Sequence, residues 1–334
     1  MLLPQTGAFL FCIVTTVSCL AGPVLPATVS DEARAFLEIA VPVDMSQPET
    51  VEDWQIIRAE IVRMFDSSSK VMQRYPFKTT ETRIGGVENL VFEAINTAKP
   101  ATDRVVMHLH GGAYVVGAPQ VDSVLIAPIA HMTGLKVIAV NYRLAPEHPY
   151  PAALEDVVSV YRALLNEYEA ADIVVTGTSS GASLALALVL QARAEGLPLP
   201  AGLGLLSPWS ELAKIGESYY TLAGIAPILD YEKTLQKAAN AYLAGADIKN
   251  PLISPVYADY SNGFPRTLIQ VGTRDLFLSN CARLQRKMVA DGVSVEMSLW
   301  EGMWHSFQMS PDLPEAHEAL RELAGFVSTA LKHE

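Results

Sequence analysis

The chain has 334 residues, half of them apolar and 18% charged, with a formal net charge of −12. That size and composition support one large α/β domain with a small appendage and exclude a disordered or fibrous chain. The acidic balance, without any run of Lys and Arg interleaved with aromatics, excludes a nucleic-acid surface.

In chain order, the first feature is an apolar run from Ala8 to Ala21, followed by Ala-Gly-Pro and Leu-Pro-Ala. It predicts a secretory signal over residues 1–27 and a secreted or periplasmic protein. The run is too short for a stable membrane span. No Lys or Arg precedes Arg34, a departure from ordinary signals, and a cytoplasmic enzyme with an apolar N-terminal helix is the alternative. Of the three cysteines, Cys12 and Cys19 lie in this leader. Cys281 stands alone in the body and reads as a small half-buried side chain. No Cys/His cluster has metal-ligand spacing, so neither metal nor cofactor is expected.

Residues 31–78 read as helical: Asp31-Glu32 opens an apolar-periodic stretch, and Val51–Phe65 repeats at i, i+3, i+4. Two extended runs follow, Thr79–Ile84 and Asn89–Glu93, joined by Gly85-Gly86 as in a hairpin. Short β-branched runs then appear at Arg104–Leu109, Lys136–Val140, Asp172–Thr176, Leu203–Leu206, Thr267–Val271 and Val295–Leu299. Helical stretches separate several of them, for example Ala153–Glu167, Ser180–Glu195, Ser279–Asp291 and Pro314–Leu331. Strands alternating with helices imply a mainly parallel sheet of eight strands covered on both faces. Residues 79–334 are expected to form this catalytic domain. Residues 211–260, without a clear strand but with helix-like Tyr231–Leu243, read as an insertion near the site.

Chemistry concentrates at three places. Asp172–Thr176 runs into Gly177-Thr178-Ser179-Ser180-Gly181 and then a helix. A strand, a Gly-x-Ser-x-Gly turn and a helix together lift a Ser hydroxyl above a sheet, with the helix N-terminus aimed at a developing oxyanion. Ser179 is therefore the expected nucleophile. An earlier strand ends in His110-Gly111-Gly112-Ala113. The amides of Gly111, Gly112 and Ala113, with that of Ser180, are expected to form an oxyanion hole. His110 reads as a hydrogen-bonding strut for that loop, and His108 as a buried structural residue.

Seven histidines compete for the role of base. His305 lies just past the last strand, where the third member of a Ser–acid–His set in this fold belongs. His131, His317 and His333 read as surface residues and His148 as a turn residue. Asp275, directly after the penultimate strand, is the expected acid that orients His305. Asp259 and Glu301 are alternatives that do not follow a strand in this way.

At these residues the chain resembles the hormone-sensitive-lipase-like esterases, the bacterial group with an HGGG motif, within the α/β-hydrolase superfamily. His110-Gly111-Gly112-Ala113-Tyr114 matches that loop. Asn141-Tyr-Arg-Leu-Ala-Pro-Glu-His-Pro-Tyr-Pro-Ala-Ala-Leu-Glu-Asp156 is the most specific match, and Gly177–Gly181 stands at the nucleophile box. The resemblance spans about residues 79–330. It implies an α/β-hydrolase fold with a short helical cap formed by the N-terminal region and 211–260. It also implies a small ester or lactone substrate of short-to-medium acyl length, hydrolysed through Ser179, Asp275 and His305. Three departures bear on substrate preference: Ala113 replaces the third Gly, Thr178 and Ser180 flank the nucleophile, and Ser279 stands where a second Asp is common. An amidase or acyltransferase using the same three residues, and a catalytically silent ligand-binding relative, are the alternatives. A homodimer is left open.

Overall fold

The computed structural model describes residues 25–64, 68–95 and 103–332. The expected leader therefore lies outside the described residues except for 25–27. Among the described residues no helix is long and apolar enough to cross a membrane.

Among the described residues three helices come first: α1 (Asp31–Ile39), α2 (Val51–Met64) and α3 (Ser68–Arg74). Ser30 caps α1 through its side chain, which accepts from the Ala33 amide, and Asp31 and Glu32 complement the helix dipole. The hairpin β1 (Phe77–Ile84) and β2 (Val87–Ala94) follows, turning at Gly85-Gly86. Then come β3 (Val105–Leu109), α4 (Ser123–Thr133), β4 (Lys136–Val140), α5 (Ala152–Leu164), β5 (Ile173–Thr178), α6 (Ser180–Ala194) and β6 (Gly202–Leu206). The short α7 (Ser218–Thr221) and α8 (Gln236–Leu243) lead into β7 (Arg266–Gly272), α9 (Leu278–Ala290), β8 (Val295–Trp300) and α10 (Pro314–Ala330).

The eight strands form one sheet in the order β1-β2-β4-β3-β5-β6-β7-β8. β2 is antiparallel to β1 and β4, and the strands from β4 through β8 are parallel. Its central strands β3, β5 and β6 are buried along their whole length, which is why they read as continuous apolar runs and not as alternation. The pleat still sorts their side chains. Val105, Met107, Leu109, Ile173 and Val175 join the core shared with α5, α6 and α9. Val106 and Val174 point the other way, into the core shared with α4 and α10.

Several features differ from the sequence expectations. Within 31–78, residues 40–50 are not helical, and Phe77 and Lys78 already belong to β1. Tyr231–Leu243 is not one uniform helix: Tyr231–Leu235 forms a π turn that passes into α8. Cys281 is fully buried, not half-buried, on the inner face of α9, where burial pushes its thiol pKa up and keeps it protonated.

The N-terminal segment is tied over the strand ends. The Val43 amide donates to the Ile228 carbonyl at 3.1 Å and the Met45 amide to the Lys233 carbonyl at 2.7 Å. Arg58 on α2 reaches down to the Val115 and Ala145 carbonyls and pairs with Glu147 at 2.7 Å.

Candidate active site

The Gly177–Gly181 turn is where β5 passes into α6, and Ser179 sits at its apex with φ 55° and ψ −119°. A non-glycine residue there is strained by roughly 1–3 kcal/mol. The surroundings over-determine it: the Ser179 amide donates to the Leu206 carbonyl at 2.8 Å, and the Trp209 amide donates to the Ser179 carbonyl at 3.2 Å. Gly181 is required by proximity, since a Cβ there would lie 2.1 Å from the Leu109 carbonyl oxygen. The turn thus packs directly against the end of β3, and the loop that follows β3 stands beside Ser179.

That loop is built on His110. The imidazole is buried, its Nδ1 lies 2.7 Å from the Gly111 carbonyl oxygen, and its ring stacks on Tyr142 with centroids 4.2 Å apart. Burial pushes its pKa below the ordinary value, an effect that the charge of Asp122 partly opposes. A neutral, buried ring is suited to bracing a loop. Gly112 has φ 118°, and a Cβ there would lie 2.1 Å from the Val116 carbonyl oxygen, so only glycine fits. Ala113 and Tyr114 follow with φ 52° and 66°; the methyl of Ala113 is buried in an αL conformation that L residues seldom adopt. Among the described residues, the amides of Gly111, Gly112, Ala113 and Ser180 donate to no backbone acceptor within the turns and loops.

His305 follows β8 after a turn that is stitched to the Asp275 loop. The Gly302 amide donates to Thr273 Oγ1 at 2.8 Å, and the Arg274 amide donates to the Met303 carbonyl at 2.9 Å. His305 Nε2 lies 2.9 Å from Ser179 Oγ, and its Nδ1 lies 3.1 and 3.2 Å from the two oxygens of Asp275. Asp275 is fully buried and also accepts from the Phe277 amide at 2.9 Å. Ser179 and His305 are only 8% and 7% exposed. A carboxylate at Nδ1 fixes the proton there and leaves Nε2 as the acceptor for the Ser179 hydroxyl.

The structure brings Ser179, Asp275, His305, His110, Gly111, Gly112, Ala113 and Ser180 to one place. Trp209, Tyr219 and Phe307 are all buried. Trp209 stacks on Phe277 at 5.7 Å, and Phe277 meets the His305 ring edge-on at 4.7 Å, so a solid aromatic wall stands on one side of the site. On the other side a cavity of about 470 Å³ opens in front of Ser179. Phe36 of α1, Val43 and Met45 between α1 and α2, Ile61 of α2 and Ile228 before α8 contribute its apolar walls.

Other histidines divide as follows. His108 on β3 is buried, as its place two residues before His110 predicts, with Nδ1 2.9 Å from Thr176 Oγ1 and Nε2 2.9 Å from Asp122 Oδ2. His131 and His317 are half-buried around the Tyr75 ring and are not plain surface residues. Sequence reasoning missed Tyr142 and Asp122, since no spacing rule links either one to the Gly-rich loop. The alternation that buried His108 was the only available signal that it needed a polar partner.

Comparison with known proteins gives the family. Residues 106–309 match the family model described as the alpha/beta hydrolase fold. An acetyl-hydrolase of Streptomyces hygroscopicus is 37% identical over 68% of this chain and 76% of its own length. An esterase of Acinetobacter venetianus is 35% identical over 81% of this chain and 86% of its own. Among solved structures, esterase E25 superposes with a TM-score of 0.84 and 31% identity, covering 93% of this chain and 98% of that one. An esterase from the bacterial hormone-sensitive lipase family gives 0.80 and 32%, covering 91% and 99%. The chain belongs to the α/β-hydrolase fold family, in its hormone-sensitive-lipase-like esterase group.

Proposed function

We propose that the chain is a serine carboxylesterase acting on small esters of short acyl groups. The observation that carries this reading is His305, which bridges the Ser179 hydroxyl at 2.9 Å and the buried Asp275 carboxylate at 3.1 Å. His305 takes the Ser179 proton through Nε2 as Ser179 Oγ attacks the ester carbonyl carbon. Asp275 holds the tautomer and stabilises the imidazolium. The amides of Gly111, Gly112, Ala113 and Ser180 receive the oxyanion, each donor contributing roughly 10²–10³ in rate. The leaving alcohol departs with the proton from His305. Water, activated by the same base, then releases the acid and restores Ser179.

The short acyl preference follows from the two unequal sides of the site. The wall of Trp209 and Phe277 closes one side of the site to a long chain, while the cavity lined by Phe36 of α1 and Ile61 of α2 takes the larger group. The names of the relatives, an acetyl-hydrolase and an esterase, support the same reading.

The test is hydrolysis of p-nitrophenyl esters from acetate to palmitate by the wild type and by Ser179→Ala. Activity peaking between acetate and hexanoate and abolished in the variant is the expected result. A well-folded wild type inert toward the whole series would overturn the reading.

A further inference from the structure

Asp122 is a polar element of the cavity that the acyl-transfer steps do not use. It is the residue immediately before α4, and only 2% of it is exposed. Even so it lines the cavity in front of Ser179. Its Oδ2 is held 2.9 Å from His108 Nε2, and His108 is held in turn by Thr176 on β5. The carboxylate is therefore fixed in direction by a buried relay. It caps no amide of α4, and among the described residues Oδ1 has no hydrogen-bond partner. Unlike the sealed Nε2 of His110, Oδ1 keeps access to the cavity.

Excluding water from that oxygen without giving it a donor costs roughly 1–3 kcal/mol, and more for a charged group. A second cost is electrostatic: the negative charge of Asp122 reaches the His110 loop, where it opposes the burial-driven fall of the His110 pKa and adds to the burial-driven rise at Tyr142. Both costs are offset when a donor enters the cavity and meets Oδ1.

We propose that Asp122 Oδ1 is a binding point for a hydrogen-bond donor, a hydroxyl or an ammonium, carried on the larger arm of the substrate. The inference rests on the ester-hydrolase reading of Ser179. On this view the cavity does not simply accept apolar groups; it selects an ester whose apolar arm ends in a polar tip. The relay through His108 and Thr176 keeps the carboxylate from rotating away.

The experiment compares three acetate esters at each chain length from two to six carbons: the n-alkyl, the terminal hydroxyalkyl and the terminal aminoalkyl acetate. All are measured at pH 8, where the amine is charged. For the wild type, kcat/KM for a donor-bearing ester should exceed that for the alkyl ester of equal length by about tenfold or more at one length, as a hydrogen bond to a charged group provides. The dominant arm, hydroxyl or ammonium, identifies the donor. In Asp122→Asn the ammonium ratio should collapse and the hydroxyl ratio should fall severalfold, since the amide oxygen still accepts but carries no charge, while kcat/KM for the alkyl acetate rises. Competitive inhibition of the wild type by n-alkylammonium ions and n-alkanols gives the same comparison without a variant. Ratios below about threefold at every length, for substrates and inhibitors alike, would overturn the inference, as would a ratio that survives unchanged in a folded Asp122→Asn. Hydrolysis of p-nitrophenyl acetate by the same preparation reports separately on the esterase reading.

Discussion

The Tyr142 hydroxyl donates to the His110 carbonyl at 2.6 Å while its ring lies flat against the His110 imidazole at 4.2 Å. One side chain therefore fixes both the backbone and the ring of the residue that opens the Gly111-Gly112-Ala113 loop. It comes from the start of the 141–156 segment, which explains in physical terms why that long stretch accompanies the Gly-rich loop.

Tyr142→Phe keeps the stack and removes the hydroxyl, leaving a buried carbonyl without its donor. The expected cost is about 1–2 kcal/mol of stability. As the amides of the loop shift, kcat on p-nitrophenyl acetate should fall about tenfold with KM little changed. Chemical denaturation and steady-state kinetics on one preparation read both effects. An unaltered kcat would separate this contact from the oxyanion loop.

Asp275→Asn should leave the fold intact, since Asn fills the same buried space, but it no longer fixes the proton on His305 Nδ1. A drop in kcat on the order of 10³–10⁴ is expected. Loss limited to tenfold would return Asp259 or Glu301 to consideration as the orienting acid.

Gly181→Ala places a Cβ 2.1 Å from the Leu109 carbonyl oxygen, and the obstacle is backbone that cannot swing aside. The β3–α6 contact must open, so the variant should be destabilised by several kcal/mol or fail to accumulate as folded protein. Thermal unfolding and expression yield measure it. A variant of native stability and activity would show that the turn can relax further than its packing suggests.

Glu211 is fully buried next to Trp209 and is held by Arg283 and the Tyr257 hydroxyl. Arg283→Ala leaves that carboxylate without its cation. Because the guanidinium is partly exposed, a loss of about 2–3 kcal/mol is expected, below the range for fully buried pairs. Arg283→Ala together with Glu211→Gln should regain part of it in a double-mutant cycle.

Burial lowers the pKa of His110 below 6.5, so the ring is neutral in the folded protein. The unfolded chain takes up a proton at this residue below about pH 6.5. The unfolded state then binds more protons, and stability rises with pH. The contribution is complete above about pH 6.5 and is lost as pH falls through that value toward the lower folded pKa. Between pH 8 and pH 5 the wild type should lose more thermal stability than His110→Gln, which carries no titratable ring. Parallel acid slopes for the two would show that His110 does not set the pH response.

Much of the architecture can be read directly from local residue patterns. The β-branched runs of β3, β4 and β5, the turn at Ser179 and the helix after it depend on propensity, sterics and glycine placement over a few residues. Weak local signals leave other features unmarked in the sequence. The π turn at Tyr231–Leu235 has no distinct sequence mark. Burial of Cys281 and the half-burial of His131 and His317 follow from what packs against them, which no local pattern states.

The sequence by itself determined the order of strands and helices, the strained Ser179 turn and the chain order of Ser179, Asp275 and His305, because each is written within one short segment. Only the tertiary structure decided that His305 Nε2 comes within 2.9 Å of a serine 126 residues away. It also decided that Tyr142 braces His110 and that Asp122, held by His108, lines the cavity. Those relations are set by the parallel register of β3, β5, β7 and β8, which brings loops distant in sequence to one edge of the sheet. A local pattern cannot encode that proximity, since it exists only once the strands have paired.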